Sequence, residues 1–528
     1  MTLSRPTDPA AIDHKFPPPE EHAQLLVIGA GPAGLAAATE AANLGLRVVL
    51  IDENPVPAAL MGLDVPLFYG QRMNPAVQEA ARMVERLVAS DPAIEAAFDA
   101  GVDLRMGVTA WGAFANGRAL HALSQHIAGL TDGTKSWLCS FDALILATGA
   151  RDLVIGFEGI DQPGVMGARA LHALLTRYDA FDGQRVVILG SADLAAETAL
   201  SLLNHGKEVA ALIEVLPEAQ ATPQHAAALA AHGVPILTGT TILKAETDAT
   251  GVTAAIVTGE APGAPRRLPC DTICLAIGAI PAIELAGALG CRLAFRGDFG
   301  GHVPVTTPDG ATSIPGIFAT GDCAGLAATA AAPRIVAHAA AAFLGGTAPP
   351  DSPPVPAGAD TTPYRQAWMG AVLTTGARHT LACICEEVTR AELLGVRPPR
   401  YLNCTSNKLA ARDAATLQQD GPLNPDQIKR LTRAGMGPCQ GRRCREQIAL
   451  MLAETGATPL ATVPLASYRA PVRPLPLHLL GALAETADMQ RHWDVWFGIR
   501  TQWIPYDVIG TPEEAVLIAA EDGGYLHA

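Results

Sequence analysis

Residues 24–53, QLLVIGAGPAGLAAATEAANLGLRVVLIDE, leave the chain little choice of fold. An apolar run, a glycine turn, an alanine-rich stretch without breakers and a second apolar run closed by acids predict strand, turn, helix, strand. In GAGPAG, Gly29 makes the tight turn, Gly31 lets backbone approach a pyrophosphate and Gly34 lets the helix pack on the strand, with Pro32 and Ala33 between them. The free N–H groups and dipole of that helix end suit phosphates. Asp52 ends the second strand, where a carboxylate can accept hydrogen bonds from ribose hydroxyls, and Glu53 is the fallback.

The pattern partly recurs at 185–214, RVVILGSADLAAETALSLLNHGKEVAALIE, so the chain holds two dinucleotide-type βαβ units. In the second, Ala192 replaces the glycine that admits a pyrophosphate, and Asp193 puts a carboxylate where a phosphate wants positive potential. Binding of NADH or NADPH there is expected to be impaired, although Glu214 keeps the ribose-binding position.

A chain of 528 residues is too long for one core, which predicts three or four domains. Its net charge of −15 argues against nucleic-acid or anionic-membrane partners, which need clustered Lys and Arg. No apolar run approaches the roughly 18 residues of a membrane span. The first 23 residues are a polar, proline-rich arm without the plan of a secretory signal. Ten cysteines in so long a chain are not a disulfide framework, so reduced thiols and the cytoplasm are expected.

Four of those cysteines carry chemistry. LACICEEVTRAEL supplies Cys383 and Cys385, and GMGPCQGRRC supplies Cys439 and Cys444, amid glycines that allow close approach to a bulky group. Four thiolates match tetrahedral zinc or an iron–sulfur cluster. Cys404, in the long spacer, is read as a non-ligand, and Arg442 and Arg443 either offset the charge of a bound centre or are solvated. Cys270 and Cys274, in CDTICLAIG, read as plain core of a buried strand, which disfavours disulfide reduction. His172, His302 and His338 lie in apolar stretches and read as packed or surface histidines rather than proton carriers.

Two further stretches, LILATGA (144–150) and SIPGIFATGDCAG (313–325), resemble the paired signatures of the two-dinucleotide flavoproteins, the thioredoxin-reductase-like and glutathione-reductase-like enzymes. The resemblance implies an α/β fold in which Thr148, Gly149, Gly321 and Asp322 line FAD. Asp322 would bond its ribityl and phosphate part, and a helix starting near Ala324 would point at the flavin. Relatives carry a Gly-Gly pair where this chain has Ala58–Ala59, and some hold a simpler adenine nucleotide, so ATP or ADP is the alternative occupant.

CICEEVT with LTRAGMGPCQGRRC is similar to the small helical [2Fe-2S] domain first known in bacterioferritin-associated ferredoxin. Behind such a flavoprotein it resembles the α-type subunits of heteromeric amine and amino-acid dehydrogenases: opine oxidases, hydrogen cyanide synthase, and proline or hydroxyproline dehydrogenases, with sarcosine oxidases as more distant kin. The resemblance implies cluster ligation by the four cysteines, an FAD-containing β subunit that oxidises the C–N bond, and FMN at the subunit interface in several members. A downstream electron acceptor and a further small subunit complete the expected partners. No residue here can be named as an amine-oxidising base. The rival reading is a self-sufficient NAD(P)H-dependent reductase of a ferredoxin-like acceptor, and a third is a non-catalytic scaffold. The implied plan is an arm at 1–23, an FAD domain at 24–152 and 300–345, and a second dinucleotide-type domain at 153–299. A linker at 346–379, a [2Fe-2S] domain at 380–456 and an extension at 457–528 follow. The tryptophan-bearing segment after residue 484 is either a docking arm or packs back.

Overall fold

The computed structural model describes residues 18–55, 72–115, 123, 125–258, 264–326, 329–347, 358–397, 411–482, 511–514 and 516. In the first sheet Glu21–Ile28 lies between Val48–Asp52 and Ser136–Leu146, with Asp103–Met106 at the edge, all parallel. Leu25, Leu26 and Val27 have no exposure, and a strand covered on both faces reads as a continuous apolar run instead of an alternation. The long strand Ser136–Leu146 changes neighbour part-way. Its first half pairs antiparallel with His126–Thr131, and its end pairs parallel with Ile317–Ala319, which arrives from beyond the second domain. The first helix, Pro32–Asn43, starts on a proline and lays its small alanines against Ala332–Phe343.

The chain leaves and re-enters this domain through two antiparallel strands, Ala150–Asp152 and Ala279–Pro281. Between them lies a five-stranded parallel sheet in the order Ile236–Leu237, Glu208–Ile213, Arg185–Leu189, Thr272–Leu275, Val165–Gly167. A three-stranded antiparallel sheet, Ile242–Asp248, Gly251–Val257 and Arg266–Pro269, flanks it. The return comes earlier than the expected residue 300. Leu285, Ala286 and Leu289 of the helix Glu284–Leu289 are buried with Ile28, Ala110 and Leu130 of the first domain, because the apolar side of that helix faces the first sheet.

The stretch read as a linker also differs. Thr362–Thr375 within it is a helix, started rather than broken by Pro363, with Trp368, Met369 and Val372 buried. The proline-rich part, 348–357, lies outside the described residues. After this helix come the hairpin Leu381–Cys383 and Val388–Thr389 and the helices Arg390–Leu394, Ala414–Asp420, Pro425–Thr432 and Arg445–Thr455. Three of the four helices are N-capped by a side chain, Thr389, Asp413 or Asn424, as short helices need. This lobe shares one hydrophobic cluster with the second domain, in which Leu189, Ile213 and Val257 join Trp368, Val388 and Leu452. Among the described residues no helix is long and apolar enough to cross a membrane.

Candidate functional site

At the first glycine turn each glycine has a distinct physical reason. Gly29 has φ +110°, and a Cβ there would stand 2.2 Å from the Ala147 carbonyl oxygen. A Cβ at Gly34 would stand 1.7 Å from the Gly29 oxygen. Gly31, the N-cap of Pro32–Asn43, has nothing within 4 Å of a Cβ position among the described residues, so the helix N-terminus stands open to them. Ala33 faces Gly321, where a Cβ would meet the Ala33 methyl at 2.6 Å. Thr148 donates its hydroxyl to the Ala282 carbonyl at 2.6 Å, and Gly149 next to it is left-handed at φ +71°.

The strand-end acids divide their work differently from the expectation. Asp52 accepts the Ala30 N–H at 2.6 Å with Oδ2, and with Oδ1 the Asn54 N–H at 2.7 Å and Nδ2 at 2.9 Å. Both oxygens are thus engaged in holding the turn, and burial pushes its pKa up. Glu53 meets Arg473 instead, at 2.6 Å and 3.4 Å. Burial works against its charge, but Arg473 and Arg442 hold its carboxyl below the usual range. Asp322 lies in the short turn Gly321–Cys323 and accepts Arg169 Nη2 at 3.0 Å. The helix expected from Ala324 begins at Ala332. Gly325, at φ +147°, breaks the chain before it, with Phe299 packed where a Cβ would be. Ala58–Ala59 lie outside the described residues.

The second unit repeats the turn with other occupants. Gly190 has φ +115°, and Ala192 caps Asp193–Asn204 with φ −73° and ψ 178°, the same conformation as Gly31 at −75° and 177°. Its methyl takes the space that Gly31 leaves open. Asp193 is held by the Thr222 N–H and by His225 Nδ1, both at 2.8 Å. Glu214 is fully buried and accepts the Leu216 N–H at 2.9 Å, as Asp52 accepts that of Asn54. Glu214 is therefore the counterpart of Asp52, and Val215 stands where the first unit has Glu53. Glu214 also accepts Ser191 Oγ at 2.5 Å and the Tyr364 hydroxyl at 2.8 Å, while the Ser191 N–H donates to Tyr364 at 3.2 Å.

The four cysteines of the C-terminal lobe meet in two hydrogen-bonded pairs, Cys383 with Cys444 and Cys385 with Cys439. Three are buried and Cys385 is half-buried. The hydrogen bond from Cys385, with help from Arg443, holds Cys439 down to about 6 against the effect of burial. The Gly435 N–H donates to Cys383 Sγ at 3.4 Å. A Cβ at Gly437 would stand 2.5 Å from Cys385 Cβ, so the loop passes close to the thiols. Among the described residues no group of three or more His, Cys, Asp or Glu side chains is placed so that it could hold a metal ion. Arg442 and Arg443 are buried, not solvated. Cys404 lies outside the described residues.

The lobe is fixed to the flavoprotein-type domains by buried ion pairs. Arg151 donates to Glu284 at 2.8 Å and to Glu446 at 2.9 Å and 3.3 Å. Gln447 accepts the Gly156 N–H at 2.9 Å and donates to the Ala382 carbonyl at 2.7 Å. Cys270 and Cys274 are buried with their thiols pushed up by burial, as plain core requires. His302 is lowered to about 4 by burial, His172 is lowered mainly by burial, and His338 pairs with Glu40 at 3.1 Å.

Residues 23–345 match the family model described as pyridine nucleotide-disulphide oxidoreductase. The chain belongs to that family. It is an oxidoreductase by that membership, and residues 400–484 match a second model, the sarcosine oxidase A3 domain. An opine oxidase subunit from Agrobacterium tumefaciens (strain Ach5) is 29% identical over 502 residues, covering 88% of this chain and 92% of that protein. The sarcosine oxidase alpha subunit of Corynebacterium sp. (strain P-1) is 30% identical over 376 residues, 67% of this chain but only 36% of that larger protein. Among solved structures, L-proline dehydrogenase from P. horikoshii covers 87% of this chain and 80% of its own, with a TM-score of 0.57 at 20% identity, a likeness of fold.

Proposed function

We propose that this chain is the α-type subunit of a heteromeric flavin-dependent amine or amino-acid dehydrogenase of the opine, proline, hydroxyproline or glycine type. The match to the Agrobacterium opine oxidase protein, which runs along nearly the whole of both chains, carries this reading. FAD fits the first unit. Its pyrophosphate would lie at the open Gly31 cradle, its ribose at Glu53, and its ribityl end beside Asp322 and Thr148. ATP or ADP fits the same turn as the alternative occupant.

A [2Fe-2S] cluster fits Cys383, Cys385, Cys439 and Cys444, and the paired thiols with the Gly435 N–H beside them support it. When bound, flavin and cluster together supply the change from two-electron to one-electron transfer. The chain's own residues hold these groups apart at a fixed spacing, since Arg151, Gln447 and their partners lock the lobe in place. Arg443 sets positive charge beside Cys385 and Cys439, and the Gly435 N–H lends Cys383 a donor. No side chain is given the role of amine base. That step falls to an FAD-containing β subunit, with FMN at the interface. A downstream acceptor and a further small subunit complete the cytoplasmic complex.

Co-purification with the β subunit, followed by an amino-acid dehydrogenase assay with an artificial acceptor, tests this. Activity is expected from the complex and none from this chain alone. Turnover by the isolated chain refutes the reading.

A further inference from the structure

The second dinucleotide unit has kept its fold, and the structure indicates what now stands in its crevice. In an open parallel sheet, ligands bind outside the carboxyl ends of the strands, at the turn that leads into the helix. Here Arg185–Leu189 and Glu208–Ile213 end at Gly190 and Glu214, and Thr272–Leu275 ends beside them. The Tyr364 hydroxyl joins the first two ends, accepting the Ser191 N–H at 3.2 Å and donating to Glu214 at 2.8 Å. Arg365, the next residue, donates to the Ala279 carbonyl just beyond the third strand at 2.7 Å and to the Gly300 carbonyl at 2.8 Å. One helical turn thus spans the mouth of the sheet, with Trp368, Met369 and Val372 buried behind it.

The two turns show how the exchange is built. In the first unit the Ala30 N–H goes directly to Asp52. In the second, the Ser191 hydroxyl has taken Glu214, and the N–H is left for a tyrosine from another element. Ala192 fills the phosphate space, and Val215 removes the outward acid that the first unit keeps as Glu53.

We propose that the helix Thr362–Thr375 fills the dinucleotide crevice of the second domain, with Tyr364 as the plug, so that this unit excludes NADH and NADPH and serves as the seat of the four-cysteine lobe. Electrons then reach the chain from a protein partner and not from a pyridine nucleotide. The inference concerns binding at Glu214 and Ser191, so it stands or falls independently of which amine the complex oxidises.

Equilibrium dialysis of NADH, and separately NADPH, against the FAD-loaded full chain tests it, with Tyr364→Ala, Tyr364→Ser and Tyr364→Phe beside wild type. Wild type and Tyr364→Phe, which keeps the ring, are expected to show no binding at millimolar nucleotide. The two truncated variants, with flavin spectrum intact, are expected to gain affinity by about tenfold or more. Micromolar binding of NADH to wild type, or prompt bleaching of its flavin by NADH, overturns the proposal. So does a flavin-loaded Tyr364→Ala or Tyr364→Ser variant that gains nothing, since the plug would then not be the excluding element.

Discussion

Replacing Arg151 by Met removes the cation shared by Glu284 and Glu446 and tests what holds the lobe to the rest of the molecule. The three side chains are 6%, 3% and 13% exposed, so solvent offers little compensation. Breaking a buried ion network by deleting one partner costs roughly 3–5 kcal/mol. Protonation sets a ceiling. Neutralising one carboxyl at pH 7, from an unfolded value near 4.3, costs about 2.7 units at about 1.4 kcal/mol each, roughly 3.7 kcal/mol. A loss of about 3 to 3.7 kcal/mol near neutrality is therefore expected.

The pH dependence has a defined sign. Burial already raises Glu446, and loss of Arg151 raises it further. A carboxyl with a raised folded pKa makes its full contribution to stability below the unfolded value and loses it as pH rises through the folded one. The deficit of Arg151→Met should therefore shrink between about pH 7.5 and about pH 5.5, and Glu446→Gln in the same chain should recover part of it. Urea unfolding followed by circular dichroism at both pH values measures this. A deficit below about 1 kcal/mol, or one that widens on acidification, refutes the assignment of Arg151 as the cation that fastens the lobe.

Other substitutions separate packing from binding. Gly31→Ala should fold with an unchanged melting temperature but lose flavin affinity about tenfold or more, whereas Gly34→Ala should fail to fold, as melting and flavin content after gel filtration will show. Ser at Cys383, Cys385, Cys439 or Cys444 should each lower bound iron, and Cys404→Ser should not; iron lost with Cys404 but kept with Cys383→Ser contradicts the ligand set. Arg473→Met should cost only about 1 kcal/mol in the same urea assay, because the Glu53 side chain is 35% exposed and screened by solvent. Its carboxyl is held low by Arg473, so that contribution is present above an unfolded pKa of about 4.3 and fades as pH falls through the folded value.

The glycine turns were legible because backbone geometry leaves no alternative at Gly29 and Gly34, and sequence records that directly. The choice between Asp52 and Glu53 was not, since spacing locates the end of a strand but not which of two adjacent carboxylates the turn itself consumes. The same blind spot made Glu214 look like a ribose ligand, when the register pairs it with Asp52. Tyr364, Arg473 and Arg151 escaped notice altogether. Each acts across a long separation on an element that sequence gives no reason to bring near, and Tyr364 stood in a stretch whose prolines suggested a linker. Local spacing grouped the thiols as Cys383 with Cys385 and Cys439 with Cys444, whereas the fold sets Cys383 against Cys444 and Cys385 against Cys439, because a contact between a hairpin and a distant loop is not written locally.

The bond between Glu53 and Arg473 joins residues 420 positions apart. A ribosome adding about 5–20 residues per second needs roughly 20–80 s to travel that distance. For that interval the glycine turn and the outward acid exist without the guanidinium that later pairs with Glu53. The acid that borders the open Gly31 turn therefore gains its cation only near the end of synthesis.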